Sequence, residues 1–81
     1  MSWSVYIVKC ADKTFYTGVT TDVERRINEH NNDDKKGAKY TRSRRPVELV
    51  WSEDQPNRVK ACQREYQIKK WSRSKKLALS G

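Results

Sequence analysis

The chain has 81 residues, enough for one small domain with a modest core and too few for a second. Eighteen Lys and Arg stand against ten Asp and Glu, a formal charge of +8 at pH 7. No apolar run approaches the ~20 residues a membrane helix needs, and MSWSVYIVKC has no cationic leader before its apolar run, so neither a membrane span nor a secretion signal is expected.

Trp3 to Cys10 alternates well enough for a strand, and Phe15 to Thr20 reads as its hairpin partner across ADKT. Register decides whether Tyr6 and Tyr16 share a face, because facing residue numbers sum to a constant. A two-residue Asp12-Lys13 loop would separate them, but that loop wants glycine or asparagine at positive φ, and neither is present. A three-residue Ala11-Asp12-Lys13 loop sets Val8 opposite Tyr16 and Tyr6 opposite Gly18, on one shared face. Gly18 then leaves an open spot where a backbone or ligand can approach.

Thr21-Asp22-Val23-Glu24 reads as a capping box that starts a helix running to about Asn31. At about 100° per residue, Val23, Ile27, His30 and Arg26 fall on one arc, while Arg25, Asn28 and Glu29 lie elsewhere. Arg26 and His30 therefore border the core-facing stripe. The plain alternatives are an arginine extended past the sheet edge and a histidine held by the helix dipole. NNDDKKGAKYTRSRRP is aperiodic and reads as a loop with a turn near Gly37, ended by Pro46. Val47 to Trp51 is the third strand. Asp54, Pro56 and Asn57 are turn and cap residues before a helix from about Arg58 to Trp71, and Ser72 caps a last short helix, Arg73 to Leu79.

The expected fold is α+β: a three-stranded antiparallel sheet flanked by about three helices, in the order β-β-α-β-α-α, as a single domain over residues 1–81. Its core would be Trp3, Val5, Ile7, Phe15, Val19, Val23, Ile27, Leu49, Val50, Trp51, Ile68 and Trp71. Without an export signal, Cys10 and Cys62 read as reduced thiols of a cytoplasmic protein.

The positive charge is uneven. Lys35 to Arg45 holds six cations and no acid, and Gln55 to the end holds eight cations and only Glu65, whereas the acids cluster between Asp12 and Asp34. Such patches favour a polyanion, nucleic acid before others. Backbone contacts are expected from Lys35, Lys36, Lys39, Arg42, Arg44 and Arg45, and from Lys69, Lys70 and Arg73. Tyr40 could stack on bases; Trp71 reads as core. Glu65 leans toward the buried side of its helix, near Ala61 and Cys62, in a basic segment. It is either the partner of Lys69 at i+4 or a carboxylate that holds a divalent cation against phosphate.

With these residues in place the chain resembles the GIY-YIG nucleases over about residues 3 to 79, above all the small stand-alone bacterial (UPF0213) members and the Slx1-like branch. Ser4-Val5-Tyr6 stands where the family has Gly-Ile-Tyr, and Tyr16-Thr17-Gly18 where it has Tyr-Ile-Gly. Arg26 matches the helix arginine, His30 the His or Tyr one turn later, and Glu65 the metal-binding glutamate. KKGAKYTRSRRPVELVW resembles the Gly-Ala-x-x-Thr segment and third strand. Two positions depart: Ser4 replaces the first-motif glycine, and Leu77 stands near the place where many relatives carry an asparagine.

The resemblance implies a metal-dependent endonuclease acting on DNA, structure-selective and associated with DNA repair or recombination. A tyrosine, Tyr16 or Tyr6, would take the proton of the attacking water. Arg26 would hold a phosphate oxygen and His30 would orient the base. Glu65 would ligate one Mg²⁺ or Mn²⁺, weakly until nucleic acid arrives. A protein partner would supply specificity. The alternatives are a nucleic-acid-binding module with an inactive site and a small basic assembly partner. A module that only binds needs its cations but not Tyr6, Tyr16 or Glu65.

Overall fold

In the computed structural model, which describes residues 2–79, β1 (Trp3–Lys9) and β2 (Phe15–Thr20) form the first hairpin. Lys13 N donates to Cys10 O at 2.9 Å, and Lys13 takes φ 69°. A turn followed by one left-handed residue is a favoured three-residue connection, although lysine there costs about 1 kcal/mol relative to glycine. Asp12 Oδ1 offsets part of that cost by accepting from Thr14 N at 3.1 Å and Thr14 Oγ1 at 2.6 Å. The loop imposes the expected register, Tyr6 opposite Gly18 and Val8 opposite Tyr16.

β3 (Glu48–Gln55) pairs antiparallel with the other side of β1, so the sheet order is β2-β1-β3. It extends four residues beyond the expected Trp51. The polar SEDQ segment tolerates pairing because β3 is an edge strand, and Ser4 Oγ donates to Asp54 Oδ1 at 2.9 Å. As the central strand, β1 is covered on both faces, and Val5 to Val8 are each 1% exposed or less. Val5 and Ile7 point one way, into a cluster with Ala61 and Ile68 that Trp3, Phe15, Val19, Val50, Trp51, Trp71 and Leu79 extend. Tyr6 and Val8 point the other way, with Cys10 and Val47, against Tyr16, Val23 and Ile27. The first face carries α3 (Arg58–Lys69) and α4 (Arg73–Leu79), the second α1 (Val23–Asn32).

Four further details differ from the sequence reading. The N-cap of α1 is Asp22, whose carboxylate accepts from Arg25 N at 3.0 Å, so the Thr21–Glu24 capping box is not made. Thr20 Oγ1 takes the Asp22 amide at 3.2 Å instead, which moves the helix start by one residue. Lys39–Arg42, expected as loop, forms a short helix, α2, with Ala38 O accepting from Thr41 N and Arg42 N. α3 stops at Lys69 rather than Trp71. Finally, Leu49 is not core. A bulge at Ile7/Val8 pairs Ile7 with Trp51 and Val8 with Leu49, so Val50 is the extra residue and packs with Trp51 on the α3 face. Leu49 stays 44% exposed at the edge, along an open groove with Val23, Ile27 and Asn28.

Asn57 caps α3 by accepting from Lys60 N at 2.9 Å, and Ser72 Oγ accepts from Lys75 N at the start of α4. Cys10 and Cys62 are free thiols. No described helix is long and apolar enough to cross a membrane.

Candidate active site

The register places Tyr6 under α1, where its ring occupies the space that Gly18 leaves. A Cβ at residue 18 would lie 2.5 Å from the Tyr6 hydroxyl and 2.7 Å from Cζ. The open spot expected at Gly18 is therefore filled from within. Tyr6 Oη lies 2.7 Å from Nε2 of His30, a residue with no exposed surface. His30 Nδ1 lies 3.0 Å from Thr41 Oγ1, and Thr41 Oγ1 donates to Ala38 O at 2.9 Å.

Proton counting assigns the tautomer. Thr41 has one hydroxyl proton, spent on Ala38 O, so it accepts from His30 Nδ1–H. Nε2 is then bare and accepts the Tyr6 proton. Ala38 N also points its hydrogen at Nδ1, at 3.4 Å the longest contact of the set, and we assign the tautomer by the shorter 3.0 Å bond to Thr41. The chain Tyr6, His30, Thr41, Ala38 runs from β1 through α1 to the start of α2.

Burial sets the charge of this dyad. It raises the Tyr6 pKa to about 12, against the opposing pull of Arg26. It lowers the His30 pKa to about 4, helped by the charge of Arg26. Phenol and imidazole are both neutral at pH 7. Tyrosinate is thus not a resting species.

Arg26 lies against Tyr6, closely enough to pull on its pKa. Its Nη1 donates to Glu29 Oε1 at 3.0 Å and to the Lys36 carbonyl. Arg25 points outward, as the helix arc implies, and is 56% exposed. Tyr16 packs edge-on to His30, with ring centroids 5.3 Å apart, and its own ring stacks on Tyr40 at 5.9 Å and 23°. The guanidinium of Arg44 sits 4.0 Å from the centroid of the Tyr40 ring and is held by Asp12 at 3.0 Å.

Glu65 belongs to α3, on the far face of the sheet, which packs against β2 and β1. Its charge still acts to raise the Tyr6 pKa. The carboxylate is 23% exposed and pairs with Lys69 at 3.7 Å. Among the described residues no three His, Cys, Asp or Glu gather into a metal cage. A lone, accessible carboxylate in a loose ion pair fits Mg²⁺ or Mn²⁺ held jointly with waters and a substrate phosphate, and does not fit a resident ion.

The cations expected to meet nucleic acid divide into two groups. Arg45 clasps the end of α1, with Nε donating to His30 O at 2.7 Å and Nη1 to Asp34 at 2.7 Å. Arg42 donates to Asp34 O, and Arg44 to Asp12 and to Tyr40 O. These arginines build the loop, while Lys35, Lys36 and Lys39 stay exposed around it. On the other face, Lys69 pairs with Glu65, Lys70 sits 4.2 Å over the Tyr66 ring, and Arg73 is exposed on α4.

Sequence reasoning reaches Thr41 only as part of a matching segment and misses Glu29. Thr41 sits in a polar stretch without periodicity, so only its contact with His30 reveals a role. The helix angle of Glu29 points away from the stripe, yet its side chain reaches Arg26.

Two tyrosines on one sheet face, beside an arginine and histidine of the next helix, define a GIY-YIG catalytic domain. The family model with that description matches residues 2–78, and the chain belongs to the GIY-YIG family. The family is one of nucleases. Similar proteins include a UPF0213 protein of Desulfotalea psychrophila, 56% identical over 78 residues, covering 96% of this chain and 70% of that protein. A second, from Staphylococcus saprophyticus, is 53% identical over 75 residues, covering 93% and 89%. Among solved structures, a UPF0213 protein of Bacillus halodurans is 48% identical with TM-score 0.56, over 98% of this chain and 82% of that one. A protein of E. faecalis is 42% identical with TM-score 0.62, over 94% and 79%. The UPF0213 names carry no activity or substrate.

Proposed function

We propose that the chain is a metal-dependent endonuclease that hydrolyses phosphodiester bonds in DNA, structure-selective, with DNA repair or recombination as its setting. The observation that carries this reading is the Tyr6–His30 hydrogen bond, with Arg26 beside it. Hydrolysis needs a proton acceptor for the attacking water and positive charge at the phosphoryl oxygens. Of the two tyrosines, Tyr6 is the one bonded to a bare imidazole nitrogen and serves as the acceptor. Its oxygen takes a proton from water as its own proton passes to His30 Nε2, so no tyrosinate has to form first.

The resulting imidazolium is disfavoured in the free protein, where burial and Arg26 hold the His30 pKa near 4. A phosphate bound to Arg26 cancels that charge and brings the His30 pKa up when the relay is needed. Arg26 uses guanidinium hydrogens not taken by Glu29 to bind a non-bridging oxygen. Tyr16, held by Tyr40, offers a second hydroxyl on the same face. Glu65 would hold Mg²⁺ or Mn²⁺, which supplies Lewis-acid stabilisation of developing charge when bound. Lys35, Lys36 and Lys39 give backbone contacts that carry no sequence information, which suits selection by shape.

The test is cleavage of supercoiled plasmid and of branched DNA with Mg²⁺, Mn²⁺ or EDTA, with Arg26→Ala and Glu65→Ala alongside. Metal-dependent cutting abolished by both substitutions is expected. Tight binding without cutting on any substrate would instead make the chain a binding module, a reading in keeping with Leu77 standing near the place of the family's asparagine.

A further inference from the structure

α3 is apolar on two sides. Ala61 and Ile68 face the sheet and are fully buried. Val59, Cys62 and Tyr66, at i, i+3 and i+7, form a second stripe that faces away from it. Val59 is 65% and Tyr66 64% exposed, more than the other exposed large apolar side chains among the described residues. The three line a shallow concavity with Arg58, Gln63 and Gln67, and no carboxylate is among these. By helix angle, Arg58 and Lys69 border the stripe on one side and Lys70 on the other, about 100° apart in total. Glu65, the only acid between Arg58 and Lys76, is turned inward and engaged with Lys69. Nothing in the packing of α3 calls for the outer stripe, since the sheet is covered by the inner one.

Three occupants differ in how well they match it. A second copy would bring Arg58 and Lys70 against the same cations on a chain that already carries +8. Nucleic acid would satisfy the cations and stack on Tyr66, but Val59 and Cys62, two of the three stripe residues, offer it no stacking surface. A helix with an apolar ridge bordered by Asp and Glu satisfies both parts: the ridge buries Val59, Cys62 and Tyr66, and the acids meet Arg58, Lys69 and Lys70. We propose that the outward face of α3 docks an acidic amphipathic helix of a protein partner. This surface stands on the opposite side of the sheet from α1, and its Lys69 and Lys70 are among the cations expected to meet nucleic acid, so the test includes an oligonucleotide.

A library of random helical peptides selected on the full chain tests the proposal, with counter-selection on a Val59→Lys, Tyr66→Lys double variant. Enriched peptides should carry apolar residues at i, i+3 or i+4, and i+7 with Asp or Glu beside them. Their binding should shift amide resonances of residues 58–70 and weaken about tenfold or more in the double variant. A second variant, Arg58→Glu with Lys70→Glu, keeps the apolar stripe and should turn the preference to basic peptides. The proposal is overturned if no peptide is enriched over counter-selection, or if the enriched peptides lack acids. It also fails if a single-stranded oligonucleotide shifts the same amides and competes for the site, or if sedimentation shows the chain pairing with itself through this face.

Discussion

Gly18 faces Tyr6 across the β1–β2 pair so closely that a methyl group there would lie 2.5 Å from the tyrosine hydroxyl. The glycine thus fixes the reach of the ring toward His30. Gly18→Ala should push a buried, planar side chain off its partner. Overpacking of this kind costs about 1–3 kcal/mol of stability. Displacing a reacting group by ~1 Å costs about 100-fold in rate. Circular dichroism melting and a cleavage assay on one preparation separate the two effects, and the expected result is a folded protein with little activity.

Thr41 is the second positioning residue. Thr41→Val keeps its shape but removes the hydroxyl that His30 Nδ1 bonds to, at a cost of about 1–3 kcal/mol. Cleavage should fall with substrate affinity unchanged, and Thr41→Ser, which restores the hydroxyl, should recover most of it. Equal loss in both variants would mean that Thr41 serves packing alone.

His30 is the only histidine in the chain, so its proton resonances titrate without overlap. Its folded pKa of about 4 lies below the ordinary 6.5 because burial disfavours the imidazolium. Above pH 6.5 neither the folded nor the unfolded state holds this proton, and stability is unaffected. Between 6.5 and 4 the unfolded state binds more protons, so stability falls as the pH is lowered, by about 3 kcal/mol in all. The acid limb of cleavage by free enzyme should accordingly lie near pH 4 rather than 6.5.

Much of this was legible in the sequence because it rests on periodicity. The alternation in β1, the lack of Gly or Asn in the hairpin loop and the helix angles of Arg26 and His30 together put four side chains on one face. The remainder depends on contacts that no local pattern encodes. The bulge that moves Leu49 to the edge is set by how β3 pairs, and α2 rests on a single turn in a polar segment. The loop arginines also read as free cations, although Arg45 and Arg44 are tied to Asp34 and Asp12. A charge count registers the acids and bases between Asp12 and Arg45 but not their pairing.

That pairing gives a further expectation. Replacing Lys35, Lys36 and Lys39 by Gln should lower DNA affinity and reduce the salt slope by about 3, one for each phosphate no longer neutralised. Arg45→Gln should instead lower the melting temperature, because it frees the His30 carbonyl and Asp34 at the end of α1. Filter binding across a salt series, beside thermal melts, distinguishes the two classes.

The most direct measurement is the cleavage rate of Tyr6→Phe, which removes one oxygen from the relay and keeps the ring under Gly18. The account predicts a rate at least ~100-fold lower, with DNA affinity and fold unchanged. Wild-type cleavage by Tyr6→Phe would contradict it, since the water's proton would then have another acceptor.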